Sequence, residues 1–385
     1  VTAVVTVDEV VGWIESSFPP DLAESWDAVG LVCGHPHAQV RSVRVVVDVT
    51  ADVVARAIAE GVDFILAHHP LFLGGVSSVA PIDDKGQIIH DLIENRIALY
   101  VAHTSADSAR PGVSDALGAL LGVATMSPLE PLAAQPRDKV TVYVPISAVQ
   151  SVINALSEAG AGHIGNYERC AYLVPGLGTF VPKAGADPYV GRVGVAEEVE
   201  EHRVEMVLPR SKRTSVVAAL REAHPYEEPA FDITELATSD SPSSASSAVG
   251  IGRVGRMCES MTLGDFAEVV ARELPTTHHG VRIAGDSAQR VQTVALCGGS
   301  GDSLLSAATS AGADVYVTSD LKHHRVSEHL ADGGCAIIDV AHFASEYPWC
   351  EQTAAALSKW RAASDANVSV TVSSLVTDPW TAHLA

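Results

Sequence analysis

Two seven-residue strings far apart in the chain match each other. Val101-Ala102-His103-Thr104-Ser105-Ala106-Asp107 and Val340-Ala341-His342-Phe343-Ala344-Ser345-Glu346 share the pattern V-A-H-x-x-x-acid, and each follows an apolar run that reads as a buried strand. A His and a carboxylate four residues on fall on one side of a helical turn, which is a metal-ligand spacing. The match extends upstream. Val291-Gln292-Thr293-Val294 repeats Val40-Arg41-Ser42-Val43, and Gly312-Ala313-Asp314 repeats Gly61-Val62-Asp63 at the same offset, which also sets Ser319-Asp320 on His68-His69. Three ordered matches constrain the chain to two related α/β halves joined about a pseudo-two-fold. The competing account, shared α/β periodicity without common origin, leaves that order to chance.

The first half alternates strands and helices: a capped helix opened by Thr6 and Glu9, a strand at Val43–Val49, a helix at Ala51–Glu60, a strand at Asp63–Ala67, a helix at Gln87–Asn95, a strand at Ile97–Ala102 and a helix at Gly112–Leu121. Such alternation predicts a parallel sheet with crossover helices. Between the halves the order changes to βαββαβ: strands at Val140–Val144, Cys170–Val174, Val204–Leu208 and Phe231–Leu236, helices at Ala148–Glu158 and Ser211–Ala223. That order predicts an inserted ferredoxin-like α+β domain. The expected division is therefore 1–135 for the first half, 136–238 for the insert, 239–249 for a serine-rich linker and 250–385 for the second half. With 385 residues, 47% of them apolar, the chain has ample material for these cores.

The formal net charge of −22 would repel a phosphate backbone, so nucleic-acid binding is disfavoured. No apolar run reaches the roughly eighteen residues of a membrane span. The N-terminal stretch carries Asp8 and Glu9 and has no basic residue before Arg41, unlike a secretory signal. Six scattered cysteines without a C-x-x-C read as reduced thiols, and the expected location is cytoplasmic.

The chemistry concentrates at strand ends, where open α/β sheets bind their ligands. The strand Phe64-Ile65-Leu66-Ala67 runs directly into His68-His69-Pro70; His103 and Asp107 follow a second strand, His342 and Glu346 a third. Neighbouring residues of an extended chain point oppositely, so His68 and His69 suit two metals side by side, with a carboxylate such as Glu346 bridging them. A nitrogen and oxygen donor set fits Zn, Fe(II), Mn, Co or Ni without choosing among them, and about five ligands for two ions leave positions for water. The expected chemistry is hydrolytic or hydration-type. His103 is open between a ligand, an acid/base group and a residue that orients a carboxylate. Asp320-Leu321-Lys322-His323-His324 reads equally as a proton shuttle near the metals and as a helix N-cap with solvent-facing histidines. Cys297-Gly298-Gly299-Ser300-Gly301-Asp302 reads as a tight strand-to-helix turn. Gly162-His163-Ile164-Gly165-Asn166-Tyr167 and His224-Pro225-Tyr226-Glu227-Glu228-Pro229 mark loops of the insert that either bind a small molecule, cap the metal cleft or carry no ligand.

Together, Trp26-Asp27-Ala28-Val29-Gly30-Leu31, Ala67-His68-His69-Pro70-Leu71-Phe72, His103-Thr104-Ser105-Ala106-Asp107, Thr318-Ser319-Asp320-Leu321-Lys322-His323-His324 and Asp339-Val340-Ala341-His342 with Glu346 resemble the Nif-three-like dinuclear metal-centre family, the GTP cyclohydrolase type 2 homologues, over nearly the whole chain. The middle piece resembles the PII/CutA-like insert of the family's long form. The resemblance implies two divalent metal ions per subunit, with Zn, Fe or Mn first among candidates. It places His69, Asp107 and Glu346 on one ion and His68, His342 and Glu346 on the other, with His103 and His324 as acid/base residues. It also implies a ring-shaped hexamer acting on a small-molecule substrate. Where the family usually has Asn this chain has Ala28 and Ser105, and Ala341 stands where Gly is usual; no ligand position is changed. Three functions fit: a metal-dependent hydrolase for a small polar or nucleotide-like substrate, a metal-sensing or metal-handling protein without turnover, and a ring-shaped interaction scaffold.

Overall fold

A computed structural model describes residues 4–132, 136–164, 167–237, 249–363 and 368–384. The chain divides into two compact units, Val1–Leu132 with Ser243–Ala385, and Ala133–Pro242. Apart from Val249, the serine-rich stretch expected as a linker at 239–249 lies outside the described residues.

The first unit holds two large mixed sheets. One runs in the order Ser369–Val372, Ser42–Val46, Phe64–Ala67, Ala98–Val101, Gly30–Cys33; the first four strands are parallel and the last is antiparallel to its neighbour. The other runs Arg282–Ala284, Ala336–Val340, Val315–Ser319, Arg290–Ser300, Gly250–Thr262, Val123–Pro131, with three parallel strands between antiparallel flanks. Both sheets contain the same unit: an antiparallel edge strand followed by three parallel strands in reverse chain order. The all-parallel expectation is corrected at the flanks. Strands such as Phe64–Ala67, Ala98–Val101 and Ala336–Val340 are buried along their whole length, as parallel strands covered on both faces must be.

The sequence halves do not each own a sheet. Val123–Pro131, from the first half, closes the second sheet, and Ser369–Val372, from the second half, closes the first. Boundaries at 135 and 250 thus divide the sequence but not the sheets. Gly250 pairs with Pro131, so the chain leaves the first unit and returns to it at adjacent strand ends.

The opening helix Val7–Ser17 forms where the Thr6–Glu9 capping box is closed, Thr6 N donating to Glu9 Oε2 (2.7 Å) and Glu9 N to Thr6 Oγ1 (3.3 Å). Its Val10 and Ile14 join Trp349, Cys350 and Leu357 of the long helix His342–Ala363 in one core cluster, while Ala344 of that helix joins the second sheet's cluster. This helix packs on strands of both sheets, which is how His342 and Glu346 reach the strand ends of the first half.

The second unit has the expected βαββαβ order. Its sheet runs Phe231–Glu235, Arg137–Pro145, Glu197–Pro209, Tyr172–Phe180, antiparallel throughout. The helices Val149–Glu158 and Arg213–Ala223 cover one face over Val140, Val142, Val204, Met206 and Leu208. The strands Glu197–Pro209 and Tyr172–Phe180 outrun the sequence expectation because their exposed residues mask the two-residue alternation.

Candidate metal centre

Five of the seven expected site residues converge in the first unit around one carboxylate. Glu346, in the first turns of the helix His342–Ala363, is 3% exposed. Its Oε1 lies 3.0 Å from His342 Nε2 and 3.4 Å from His68 Nε2; its Oε2 lies 3.1 Å from His69 Nε2. Asp107 Oδ1 lies 3.8 Å from His68 Nε2. Ligand atoms of His69, His342 and Glu346 fall within 4.8 Å of one another, as do those of His68, His69 and His103.

The far nitrogen of each imidazole is committed to an acceptor. His68 Nδ1 meets the Ala102 carbonyl (3.0 Å), His69 Nδ1 meets Asp48 Oδ1 (2.7 Å) and His342 Nδ1 meets Asp320 Oδ2 (2.6 Å). An oxygen at Nδ1 fixes the Nδ1–H tautomer and turns the Nε2 lone pair inward, the usual way a protein prepares a histidine ligand. His68 Nε2 and Glu346 Oε2 are buried and make no hydrogen bond within the protein. Unsatisfied buried polar atoms are costly, and a divalent cation between them would satisfy both.

Electrostatics agree with this. Burial disfavours the charged imidazole of His69, but the Glu346 carboxylate, helped by Asp48, overrides it and lifts the pKa to about 11. His342 is lifted to about 10 against the same burial by Glu346 and Asp320. Burial would raise Glu346, but the three imidazoles hold it well below the carboxylate range. Burial pushes Asp107 up to about 6. Without a cation the centre holds protons where a cation would sit, so loading must displace them.

Residues outside the expected set complete the site. Gly299 has φ +72° and a Cβ there would stand 2.5 Å from Glu346 Oε1 and 3.2 Å from His342 Nε2, so only glycine leaves the carboxylate its place. Gly299 N also donates to Ser345 Oγ (2.8 Å). The glycine-rich string does more than turn the chain: the strand Arg290–Ser300 continues through Cys297, Gly298 and Gly299 beside Glu346, and Gly301 then makes the strand-to-helix turn as N-cap of Asp302–Leu304. Asp320, at a left-handed φ of +61°, is not the N-cap of the following helix, a place Lys322 takes; it faces His342. Asp48 could have been found as an acid just beyond the strand Ser42–Val46, parallel to the histidines that close neighbouring strands.

The remaining expected residue, His324, is not brought to the cluster. His324 is exposed on the helix His323–Ala331 with its ring 5.1 Å from that of His323, and among the described residues no contact joins it to the cluster. The helix begins after Lys322 and carries both rings outward. Within the cluster, His68 and His342 both approach Glu346 Oε1, His69 approaches Oε2, and Asp107 lies beside His68. The successive imidazoles of His68 and His69 diverge only modestly, their ring planes tilted by 39°, and both reach Glu346.

His103 stands beside His68 and His69, ring centroids 5.3 and 5.5 Å away. Its Nδ1 meets Asp27 Oδ1 (2.8 Å), and Asp27 Oδ2 accepts from the Thr104 backbone N–H (2.9 Å) and hydroxyl. Burial and the positive charge of His68 lower its pKa, opposing Asp27, so the imidazole is held neutral.

A fold and site of this kind define an α/β protein built on two topologically matching sheet units, with a candidate metal site at their strand ends. The chain belongs to the Duf34/NIF3 (NGG1p interacting factor 3) family, matching it over residues 5–379. It is 46% identical over 377 residues to a Mycobacterium tuberculosis protein described as a GTP cyclohydrolase 1 type 2 homolog, covering 98% of this chain and 97% of that one. A Mycobacterium leprae protein of the same description is 45% identical, covering 97% and 94%. The crystal structure of a Bacillus cereus protein related to NIF3 superposes with a TM-score of 0.74 at 37% identity, covering 98% of this chain and 99% of that chain. Among the described residues, no helix is long and apolar enough to cross a membrane.

The carboxylates behind the imidazoles provide a direct check. Asp48→Asn or Asp320→Asn is expected to weaken metal binding by about 10–100-fold, since each frees one imidazole to rotate or change tautomer. Competition titrations against a chromogenic chelator measure it; unchanged affinity in both variants would show that the imidazoles need no orienting partner.

Proposed function

We propose that this chain is a metal-dependent hydrolase with two divalent cations held by His68, His69, Asp107, His342 and Glu346. The observation that carries the reading is the buried Glu346 carboxylate ringed by three inward-facing Nε2 atoms, with its own Oε2 and the neighbouring His68 Nε2 making no hydrogen bond. When bound, the cations would supply Lewis acidity, lowering the pKa of water and polarising a substrate oxygen. Glu346 contributes two oxygens on opposite sides of the cluster and so suits a bridging role. His68 and His342 stand at Oε1 and His69 at Oε2, with Asp107 beside His68.

His103 is the acid/base group of this reading. It is neutral, adjacent to the ligands and anchored through Nδ1, so its Nε2 can accept a proton and Asp27 then stabilises the imidazolium. Trp26, half-exposed, sets its ring 6.0 Å from His103 and offers a substrate a flat apolar surface. The relatives' description as GTP cyclohydrolase homologues directs the first assays to nucleotides and cyclic amides.

His103→Gln should keep both cations and lose about 10²–10⁴-fold in turnover. The test is metal analysis alongside chromatographic assay of nucleoside triphosphates and cyclic amides with the loaded protein. Two bound metals with no turnover of any compound in the panel would replace the hydrolase reading by metal handling.

A further inference from the structure

The second unit contains a cavity of about 690 Å³ on the sheet face opposite its helices. Alternation along the strand Glu197–Pro209 explains its lining: Val204, Met206 and Leu208 face the helical core, while Glu201 and Arg203 face the cavity. The connection between the strands Tyr172–Phe180 and Glu197–Pro209 folds back over this face, contributing Pro182, Pro188 and Tyr189. Asp187 N donates to the Glu227 carboxylate (3.3 Å), tying that connection to the turn that follows the second helix.

The string His224-Pro225-Tyr226-Glu227 forms the cavity's working wall. His224 Nδ1 accepts from the Tyr226 backbone N–H (3.0 Å) and its Nε2 donates to the Tyr143 carbonyl (2.9 Å), an arrangement that uses the neutral ring at both ends. The turn so held sends the Tyr226 hydroxyl to Glu201 Oε1 (2.8 Å). Phe180 and Tyr189 set their rings 6.0 and 6.1 Å from that of Tyr226. Gly178 makes room for the acid, because a Cβ there would lie 2.3 Å from Glu201 Oε2.

Glu201 is the anomaly. It is only 8% exposed, yet among the described residues no basic side chain forms an ion pair with it. Arg203 is turned to Glu205 (2.8 Å) instead. A buried carboxylate is costly without a counter-charge, and a tyrosine hydroxyl supplies none. Glu227 and Glu228 add further negative charge to the lining, against the single Arg203. An anionic ligand is disfavoured by that balance, whereas a cation gains a charge-assisted hydrogen bond and attraction to aromatic faces.

We propose that this cavity binds a small organic cation, its ammonium or amidinium group on Glu201 and its flat apolar body against Phe180, Tyr189 and Tyr226. The volume suits a ligand of drug-like size or smaller. The site is separate from the metal centre, and the proposal stands whether or not the hydrolase reading does.

The test compares benzamidine, charged at neutral pH, with its neutral counterpart benzamide and the anion benzoate, titrated into the full-length chain by calorimetry. Benzamidine is expected to bind saturably and at least about tenfold more tightly than benzamide, and Glu201→Gln to abolish that preference. Tyr189→Ala should weaken benzamidine and benzamide alike while leaving the preference intact, which keeps the test valid if the Glu201 variant fails to fold. Metal content should be unchanged in both variants. Equal binding of charged and neutral probes, tighter binding of benzoate, or no saturable binding by benzamidine would overturn the proposal. A change of oligomeric state in Glu201→Gln, with no probe bound by the wild type, would instead mark this face as a contact between copies of the chain.

Discussion

Glu346→Gln is expected to reduce the metal content of the purified chain from two equivalents to well below one, the largest functional loss of any single substitution. The change preserves shape but removes the charge and replaces one oxygen by an N–H donor, facing imidazoles only 3.0–3.4 Å away. A second signature follows in the metal-free protein. In the wild type, burial works against the charged imidazoles, yet Glu346 lifts His69 to about 11 and His342 to about 10. Between the ordinary histidine value, about 6.5, and those values the folded state holds more protons than the unfolded one. Stability is therefore fully present below about 6.5 and is lost as pH rises toward 10. The Glu346 side of the same interaction is present above the ordinary carboxylate range and lost as pH falls through its depressed value. Chelator-stripped wild type should show a falling Tm from pH 6.5 to 9, and Glu346→Gln a nearly flat one. Added metal should reverse the trend in wild type, because protons compete less at higher pH. A flat profile in stripped wild type would mean that the imidazoles carry no protons at this centre.

Asp115→Ala is expected to destabilise the first unit by about 3–5 kcal/mol. Arg253 is fully buried, and its guanidinium donates to Asp115 Oδ2 (2.7 Å) and to the carbonyls of Ala109 (2.6 Å), Gly250 (2.6 Å) and Gly252 (2.7 Å). Asp115 Oδ2 also accepts from Gly112 N (2.8 Å). These bonds fasten the start of the helix Val113–Leu120 to the strand Gly250–Thr262, next to the point where the chain re-enters the unit. Removing the acid strands a buried cation; Arg253→Met in addition should recover part of the loss. All five tryptophans (Trp13, Trp26, Trp349, Trp360, Trp380) lie in this unit, so denaturant unfolding followed by tryptophan fluorescence reports on it alone. A loss below about 1 kcal/mol would show that the pair is solvated.

The cluster was legible because the chemistry repeats at strand ends: apolar strands of four or five residues stop at His68-His69, at His103 and at His342, and the repeat orders them. The insert was legible from its strand and helix order. The exchanged strands Val123–Pro131 and Ser369–Val372 were not, since pairing across the halves depends on long-range register that local pattern does not encode. The orienting carboxylates were hidden for a similar reason. Asp48 and Asp27 look like ordinary strand-end and loop acids until the imidazoles they face are placed beside them. The glycine string was read for its strand-to-helix turn, which Gly301 makes, but not for Gly299, which clears space for Glu346. His324 does not join the cluster: the helix His323–Ala331 sets it at the surface, a placement that local composition does not encode.

The central claim is that two cations share Glu346 inside the first unit. Anomalous diffraction from crystals of metal-loaded protein, collected at the absorption edge of the bound element, tests it most directly. The account predicts two peaks, one beside each oxygen of the Glu346 carboxylate, within reach of the imidazoles of His68, His69 and His342. A single peak, or peaks away from Glu346, would contradict it.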